Sequence, residues 1–283
     1  MPEATTDADP TWVCVSCRTR VPMALDSCPS CGWSIGAGLG ASPGEPGTAE
    51  HARRFAQWAW LLREFLLLNV LFVLWRIVGH VSLFHRAGAF SRGRWLWHAE
   101  RVLRLPDEAS VQRPVLGHAT WDRILNGYYA WAHIAVFAAA LLWLMIRHRD
   151  VYPKWRNLVF AFTGVALVIG FLPVAPPRLI PSFGMVDLAA RYHQSVYDGL
   201  GKGITDQLSA MPSVHVGWAV LVAGMVIGVL RTRWRWIALL YPAVTAYVIV
   251  VTANHYWLDG VGALLLLALV YFGMRRIRPS LIP

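Results

Sequence analysis

Residues 254–278 read NHYWLDGVGALLLLALVYFGMRRIR. From Tyr256 to Met274 the stretch is apolar apart from Asp259, close to the roughly 20 residues that cross a bilayer core, and it stops at Arg275, Arg276 and Arg278. Cationic residues behind an apolar run mark a cytoplasmic exit from the membrane. Five further apolar runs precede it, at about residues 57–78, 128–146, 157–175, 214–230 and 236–253. The first is interrupted by Arg63, Glu64, Asn69 and Arg76, the second by His133. The connectors 147–156 and 231–235 are also basic, and in a six-span chain both fall on the same side as residues 275–278. The sequence therefore predicts an all-α membrane protein of six transmembrane helices, with both termini cytoplasmic.

Composition agrees. The 283 residues are 56% hydrophobic and 15% charged, with a mean hydropathy of +0.44; soluble domains run near ~45–50% and ~25%. A soluble enzyme and a disordered chain are both excluded. The net charge of +10 is split: residues 1–52 hold six acids and two arginines, so 2 − 6 = −4, leaving +14 for the rest. The arginines flank apolar runs, which reads as membrane topology rather than nucleic-acid binding. The outer connector 79–127 departs from the rule, with seven arginines against four acids. Its stretch 89–105, rich in Trp and Arg at helical spacing, predicts an amphipathic helix on the outer face of the membrane.

All four cysteines precede residue 32, as Cys14-x-x-Cys17 and Cys28-x-x-Cys31. Two such turns present four thiolates to a structural zinc. The ten-residue gap is short for a zinc ribbon, and free thiols or a redox pair are the competing readings. No secretory signal opens the chain, which fits a reduced, cytoplasmic module. The expected division is a zinc-ribbon module at 1–33, a Gly/Ala/Pro/Ser linker at 34–50 and a membrane domain at 51–283. Zinc is the expected cofactor of the module, with none for catalysis, and a cytoplasmic protein is its expected partner.

Three segments at the outer ends of the runs carry chemistry. Ala175-Pro176-Pro177-Arg178 offers a guanidinium that grips phosphate oxygens. In Ala210-Met211-Pro212-Ser213-Val214-His215, Ser213 sits at an N-cap, and a helix amino terminus favours anions; His215 in the first turn can protonate a leaving oxygen. In Asn254-His255-Tyr256-Trp257-Leu258-Asp259-Gly260, His255 and Asp259 share a helix face. The carboxylate can take the Nδ1–H of the imidazole and leave Nε2 as a nucleophile. Asp259 as a plain helix cap, the two histidines as haem ligands, and His133 as either a substrate contact or an interhelical hydrogen bond are the other readings. His193 and Asp198 read as solvated loop residues, and Asp206 as a structural hydrogen-bonding group.

These segments resemble the three motifs of the type 2 phosphatidic acid phosphatase superfamily, in the branch of fungal inositol phosphorylceramide synthase and its bacterial relatives. The similarity runs from about Ala89 to Gly273, with Asn126-Gly127-Tyr128-Tyr129-Ala130-Trp131-Ala132-His133 and Asp206-Gln207 included, and leaves out the cysteine module. It implies a six-helix core working through a phosphohistidine: His255 as nucleophile, Asp259 as its orienting carboxylate, His215 as acid, Arg178 and Ser213 as phosphate holders. The broader family has a lysine where Phe171 stands and a Ser-Arg pair at Val248 and Ile249, a lean pattern shared with the inositol-transferring branch. Lys202 is the expected substitute cation. The expected activity is phosphoryl transfer from a lipid-linked phosphate at the extracytoplasmic face, to water or to an alcohol. A non-catalytic membrane scaffold with the ribbon as its working part is the competing class.

Overall fold

The computed structural model describes residues 11–34, 46–82, 88–194 and 207–283. The chain divides into two compact units, residues 1–68 and 69–283. In the first, β1 (Thr11–Val13) pairs antiparallel with β2 (Arg20–Pro22), Trp12 opposite Val21. A long helix, α1 (Pro46–Ser82), follows; it takes in residues 46–50 of the segment that reads as linker.

The second unit is helical. Its elements are α2 (Ala89–Val102), α3 (Glu108–Gln112), α4 (Ala119–Gly127), α5 (His133–Arg147), α6 (Tyr152–Ile169), α7 (Leu188–Arg191), α8 (Val214–Val229), α9 (Leu240–Val251) and α10 (Trp257–Ile277). Among the described residues three helical stretches are long and apolar enough to cross a membrane: Ala119–Arg147, Arg233–Val251 and Trp257–Ile277. The apolar α8 is shorter. On α10 the outward residues Leu264, Leu265, Leu269 and Phe272 are exposed. An apolar outer face suits lipid, since water would penalise so much contiguous hydrocarbon.

Local chemistry sets the ends of these helices. Asp107 caps α3 by accepting the Ser110 N–H, and Ser213 caps α8 by accepting the Val216 N–H. Between α4 and α5, Tyr128–Ala132 form a π turn, so Ala119–Arg147 is one continuous rod with an extra residue wound into it; such turns often mark functional sites. The expected run 157–175 is helical over Tyr152–Ile169 only. Beyond Gly170, Pro173, Pro176 and Pro177 lack N–H donors and disfavour helix in the residues before them. The chain there is extended: Val174 donates its N–H to the Leu208 carbonyl (2.6 Å), and Ala210 donates back to Val174 (3.3 Å).

Helix α8 is the central post, packed against α5, α6, α9 and α10. Its approach to α6 is close because Gly217 has no side chain: a Cβ there would lie 2.0 Å from Cζ of Phe162. Trp218 donates its indole N–H to Thr163 Oγ1 on α6 (3.0 Å) and stacks on Phe137 of α5 (4.3 Å between centroids). The stretch expected as an amphipathic helix is helical as α2, and its buried stripe of Ala89, Gly93, Leu96 and Glu100 turns toward protein. A Cβ at Gly93 would meet Tyr256 Oη at 2.7 Å and the Ala175 carbonyl at 2.8 Å, so α2 lies directly on two of the three chemistry-bearing segments.

Candidate active site

Backbone hydrogen bonds stitch the three segments together before any side chain contributes. Arg178 donates its N–H to the Ala253 carbonyl (3.0 Å), Ala175 to the Ala89 carbonyl (3.1 Å), and Ser213 to the Asp259 carbonyl (3.1 Å). Residues distant in sequence are thus held by main chain, which tolerates little drift. Ala253 sits in the left-handed region at φ 57°. A residue with a Cβ pays for that conformation, and here it aims the Ala253 carbonyl at the Arg178 amide.

The His255 side chain is buried at 3% exposure. Its Nδ1 lies 2.7 Å from the Ala210 carbonyl and 3.2 Å from Asp259 Oδ2. A carbonyl oxygen only accepts, so the shorter contact requires hydrogen on Nδ1, which in the neutral imidazole puts the lone pair on Nε2. The sequence pointed to Asp259 as the orienting acceptor; the Ala210 carbonyl is the nearer one, and no residue type announces a carbonyl. Asp259 also accepts the Tyr256 N–H (2.9 Å) and so closes the first turn of α10. It is both a cap and a partner of the imidazole.

The rings of His215 and His255 meet edge to face with centroids 5.3 Å apart. Tyr129 stacks on His215 at 4.5 Å, and His133 lies 4.1 Å from it. His133 donates from Nδ1 to the Tyr129 carbonyl inside its own helix (2.8 Å), not across helices. The π turn places both Tyr129 and His133 against His215. Arg178, with a side chain 3% exposed, donates from Nε to Asn254 Oδ1 (2.9 Å), the neighbour of His255, and lies 3.8 Å from Asp187 Oδ2. Asn254 in turn donates to Thr252 Oγ1 (3.0 Å). Ser213 is buried at the amino terminus of α8. His215, His255 and Asp259 are thus in mutual contact around His255, with Ser213 joined to Asp259 through main chain and Arg178 joined to Asn254, the neighbour of His255. Lys202, Asp198 and Asp206 lie outside the described residues; His193 stands at a positive-φ turn after α7.

The four cysteines form a second constellation, within residues 11–34. Cys14 accepts the Arg18 N–H and Cys28 the Gly32 N–H, two matching knuckles; Gly32, at φ +74°, supplies the left-handed step of the second. Their sulfur atoms all lie within 4.8 Å of one another, with Cys14 and Cys31 at 3.6 Å and Cys17 and Cys28 at 3.5 Å. A tetrahedron of sulfurs at the Zn–S bond length has edges of about 3.8 Å, so the donor set fits that ion.

A family model described as the PAP2 superfamily matches residues 94–273, more than half of the chain. The match spans α2 to α10 and leaves out the cysteine module. No curated protein and no solved structure matches the chain.

Proposed function

The chain belongs to the PAP2 superfamily, whose members are generally phosphatases and phosphotransferases, and from that premise we propose that it transfers phosphoryl groups from a lipid-linked phosphate at the outer face of the membrane. One observation carries the reading: the Ala210 carbonyl holds hydrogen on Nδ1 of His255, so that the neutral imidazole presents its lone pair on Nε2, and the His215 ring stands 5.3 Å away. In this mechanism Nε2 of His255 attacks phosphorus as the phosphorus–oxygen bond of the lipid breaks. His215 gives its proton to the departing oxygen. An acceptor hydroxyl or water, losing its proton to His215, then takes the phosphoryl group and the nitrogen–phosphorus bond breaks. The guanidinium of Arg178 and the N–H groups at the start of α8, ordered by Ser213, hold the phosphate oxygens. Lys202 is a further cation for the same group, and His133 a reserve imidazole behind His215.

In this reading the chain crosses the membrane six times, as α1, the rod Ala119–Arg147, α6, α8, the stretch Arg233–Val251 and α10; three of these stretches are long and apolar enough by themselves. The basic ends at residues 147–156, 231–235 and 275–278 face the cytoplasm, and the motif ends face outward. In that arrangement α2 rests at the outer interface, over the site. Residues 1–33 are a cytoplasmic zinc ribbon joined by residues 34–50 to the membrane domain at 51–283. Zinc held by Cys14, Cys17, Cys28 and Cys31 would supply folding energy and no chemistry, and a protein partner reads the ribbon.

The test is phosphoenzyme capture. Detergent-purified protein mixed with radiolabelled phosphatidic acid and quenched in alkali should carry an acid-labile label, absent from His255→Ala. Chasing with water or inositol identifies the acceptor. A scaffold would show no label and no phosphate release from the wild type, and that pair of results refutes the enzymatic reading.

A further inference from the structure

Behind the imidazoles lies a buried carboxyl group with no part in the mechanism above. Glu100 of α2 and Glu108 of α3 are each 0% exposed, as is Asp259. Glu100 Oε1 accepts the Leu258 N–H at 2.7 Å, one of the amides left open in the first turn of α10. Glu108 Oε2 accepts from Nη2 of Arg101 at 2.8 Å, and the same nitrogen is 3.9 Å from Glu100 Oε2. The two carboxyl groups thus flank one guanidinium nitrogen, Nη2 of Arg101, at 3.9 and 2.8 Å. Their remaining oxygens, Glu100 Oε2 and Glu108 Oε1, have no hydrogen-bond partner in the protein, although both are buried.

Counting charges shows why this cannot be two carboxylates. Arg101 is the guanidinium that faces the pair, and its Nη1 is shared with Asp107 Oδ1 at 2.7 Å. Asp259 stands on the other side, at the start of α10. Tyr256, the residue before that helix, is neutral and gives its hydroxyl hydrogen to the Ala175 carbonyl. Trp257 spends its indole N–H on the Pro106 carbonyl. Buried like charges in contact do not both ionise. One proton between Glu100 Oε2 and Glu108 Oε1 removes a negative charge and satisfies both orphaned oxygens at once.

We propose that Glu100 and Glu108 form a carboxylic acid–carboxylate dyad whose shared proton holds the first turn of α10, and with it Asp259 and His255, in the working geometry. They are positioning residues: neither touches the reacting atoms, and the connection runs through the Leu258 amide, one residue from Asp259. Loss of the proton places a second negative charge beside Asp259 and sets the two glutamates against each other, loosening the Leu258 contact. Burial, and then the neighbouring Glu108, push the Glu100 carboxyl up to about 9, so the dyad keeps its proton at neutral pH. The folded-state value is raised above the ordinary 4.5. The dyad's contribution to stability is therefore full below about 4.5 and is lost as pH rises through about 9.

The role at His255 rests on the phosphohistidine reading, so the test includes arms that need no turnover. Glu100→Gln keeps an oxygen for Leu258 N–H and offers a fixed amide hydrogen to Glu108, imitating the protonated state at every pH. In infrared spectra of detergent-purified protein, the wild type should show a protonated-carboxyl band that disappears near pH 9, is missing from Glu100→Gln, and disappears at a lower pH in Glu108→Gln. Nitrogen-15 histidine spectra should show His255 leaving its Nδ1–H tautomer above pH 9 in the wild type and keeping it in Glu100→Gln. The ratio of variant to wild-type phosphate release should rise about tenfold from pH 8 to pH 10, as one proton lost near 9 requires. A wild type without the band overturns the dyad. A band that vanishes in Glu100→Gln while the His255 tautomer keeps the same pH course in that variant and in the wild type reduces the pair to a structural contact and overturns the positioning role. Absence of phosphate release from the wild type removes the proposed function alone, because the infrared and histidine spectra still decide the dyad.

Discussion

The cysteine module and the helical unit solve opposite problems. In residues 11–34 the buried hydrophobic residues are Cys14, Val21 and Cys28, flanked by Trp12 and Trp33. So small a core cannot offset the chain entropy of ordering a domain; two of its three members are themselves donor atoms for an ion. In the helical unit the reverse holds. Helix α8 packs against four helices through a buried apolar surface, and the polar groups Ser213, Asn254, His255 and Asp259 are buried inside the unit. The difference teaches where function can be tuned. A region folded by its ligand carries the ligand as structure, whereas a region folded by packing can hold reactive groups at fixed distances and spend them on chemistry.

The sharpest way to break this comparison is to remove the zinc proposed for the four thiolates. Chelation, or Cys14→Ser, should unfold residues 11–34, since structural zinc contributes roughly 10–16 kcal/mol in modules of this kind; amide exchange would read the collapse. Phosphate release should stay unchanged, and a loss of activity would make the two regions one machine. Next in size is His255→Ala, which should lower turnover by about 10⁴-fold or more with an unaltered circular dichroism spectrum; a parallel loss of helix would mean that the imidazole is structural. Gly217→Ala should cost about 1–3 kcal/mol or more by driving a methyl into Phe162, read as a lower unfolding midpoint in detergent. If it is neutral, α8 and α6 are not rigidly packed and the argument from prearranged distances fails. The smallest effect belongs to Ser213→Ala. Losing the N-cap bond to Val216 costs about 1 kcal/mol, so stability should drop slightly while the apparent KM for the lipid phosphate rises.

The module was the easier half to read. Its four ligands stand in two Cys-x-x-Cys turns, where sequence neighbours are spatial neighbours, and the paired sulfurs at 3.5–3.6 Å follow from that local geometry. In the helical unit the residue types of the site were visible, because His255 and Asp259 are one helical turn apart and Ser213 follows a proline. The apolar runs were visible too, though their ends moved: prolines shortened 157–175, and the π turn joined 119–127 to 133–147 in one rod.

What the sequence determined by itself was the helical, apolar character of the chain and the identity of the candidate reactive groups, because hydrophobic periodicity, proline and i, i+4 spacing act within a few residues. What only the tertiary structure decided was which acceptors those groups meet. The Ala210 carbonyl under His255, Tyr129 and His133 against His215, and Glu100 under the Leu258 amide all come from 45 to more than 100 residues away. Two of those acceptors are a backbone oxygen and a buried carboxyl whose sequence contexts look ordinary; they become chemically specific only when close packing excludes water and leaves each donor few places to go.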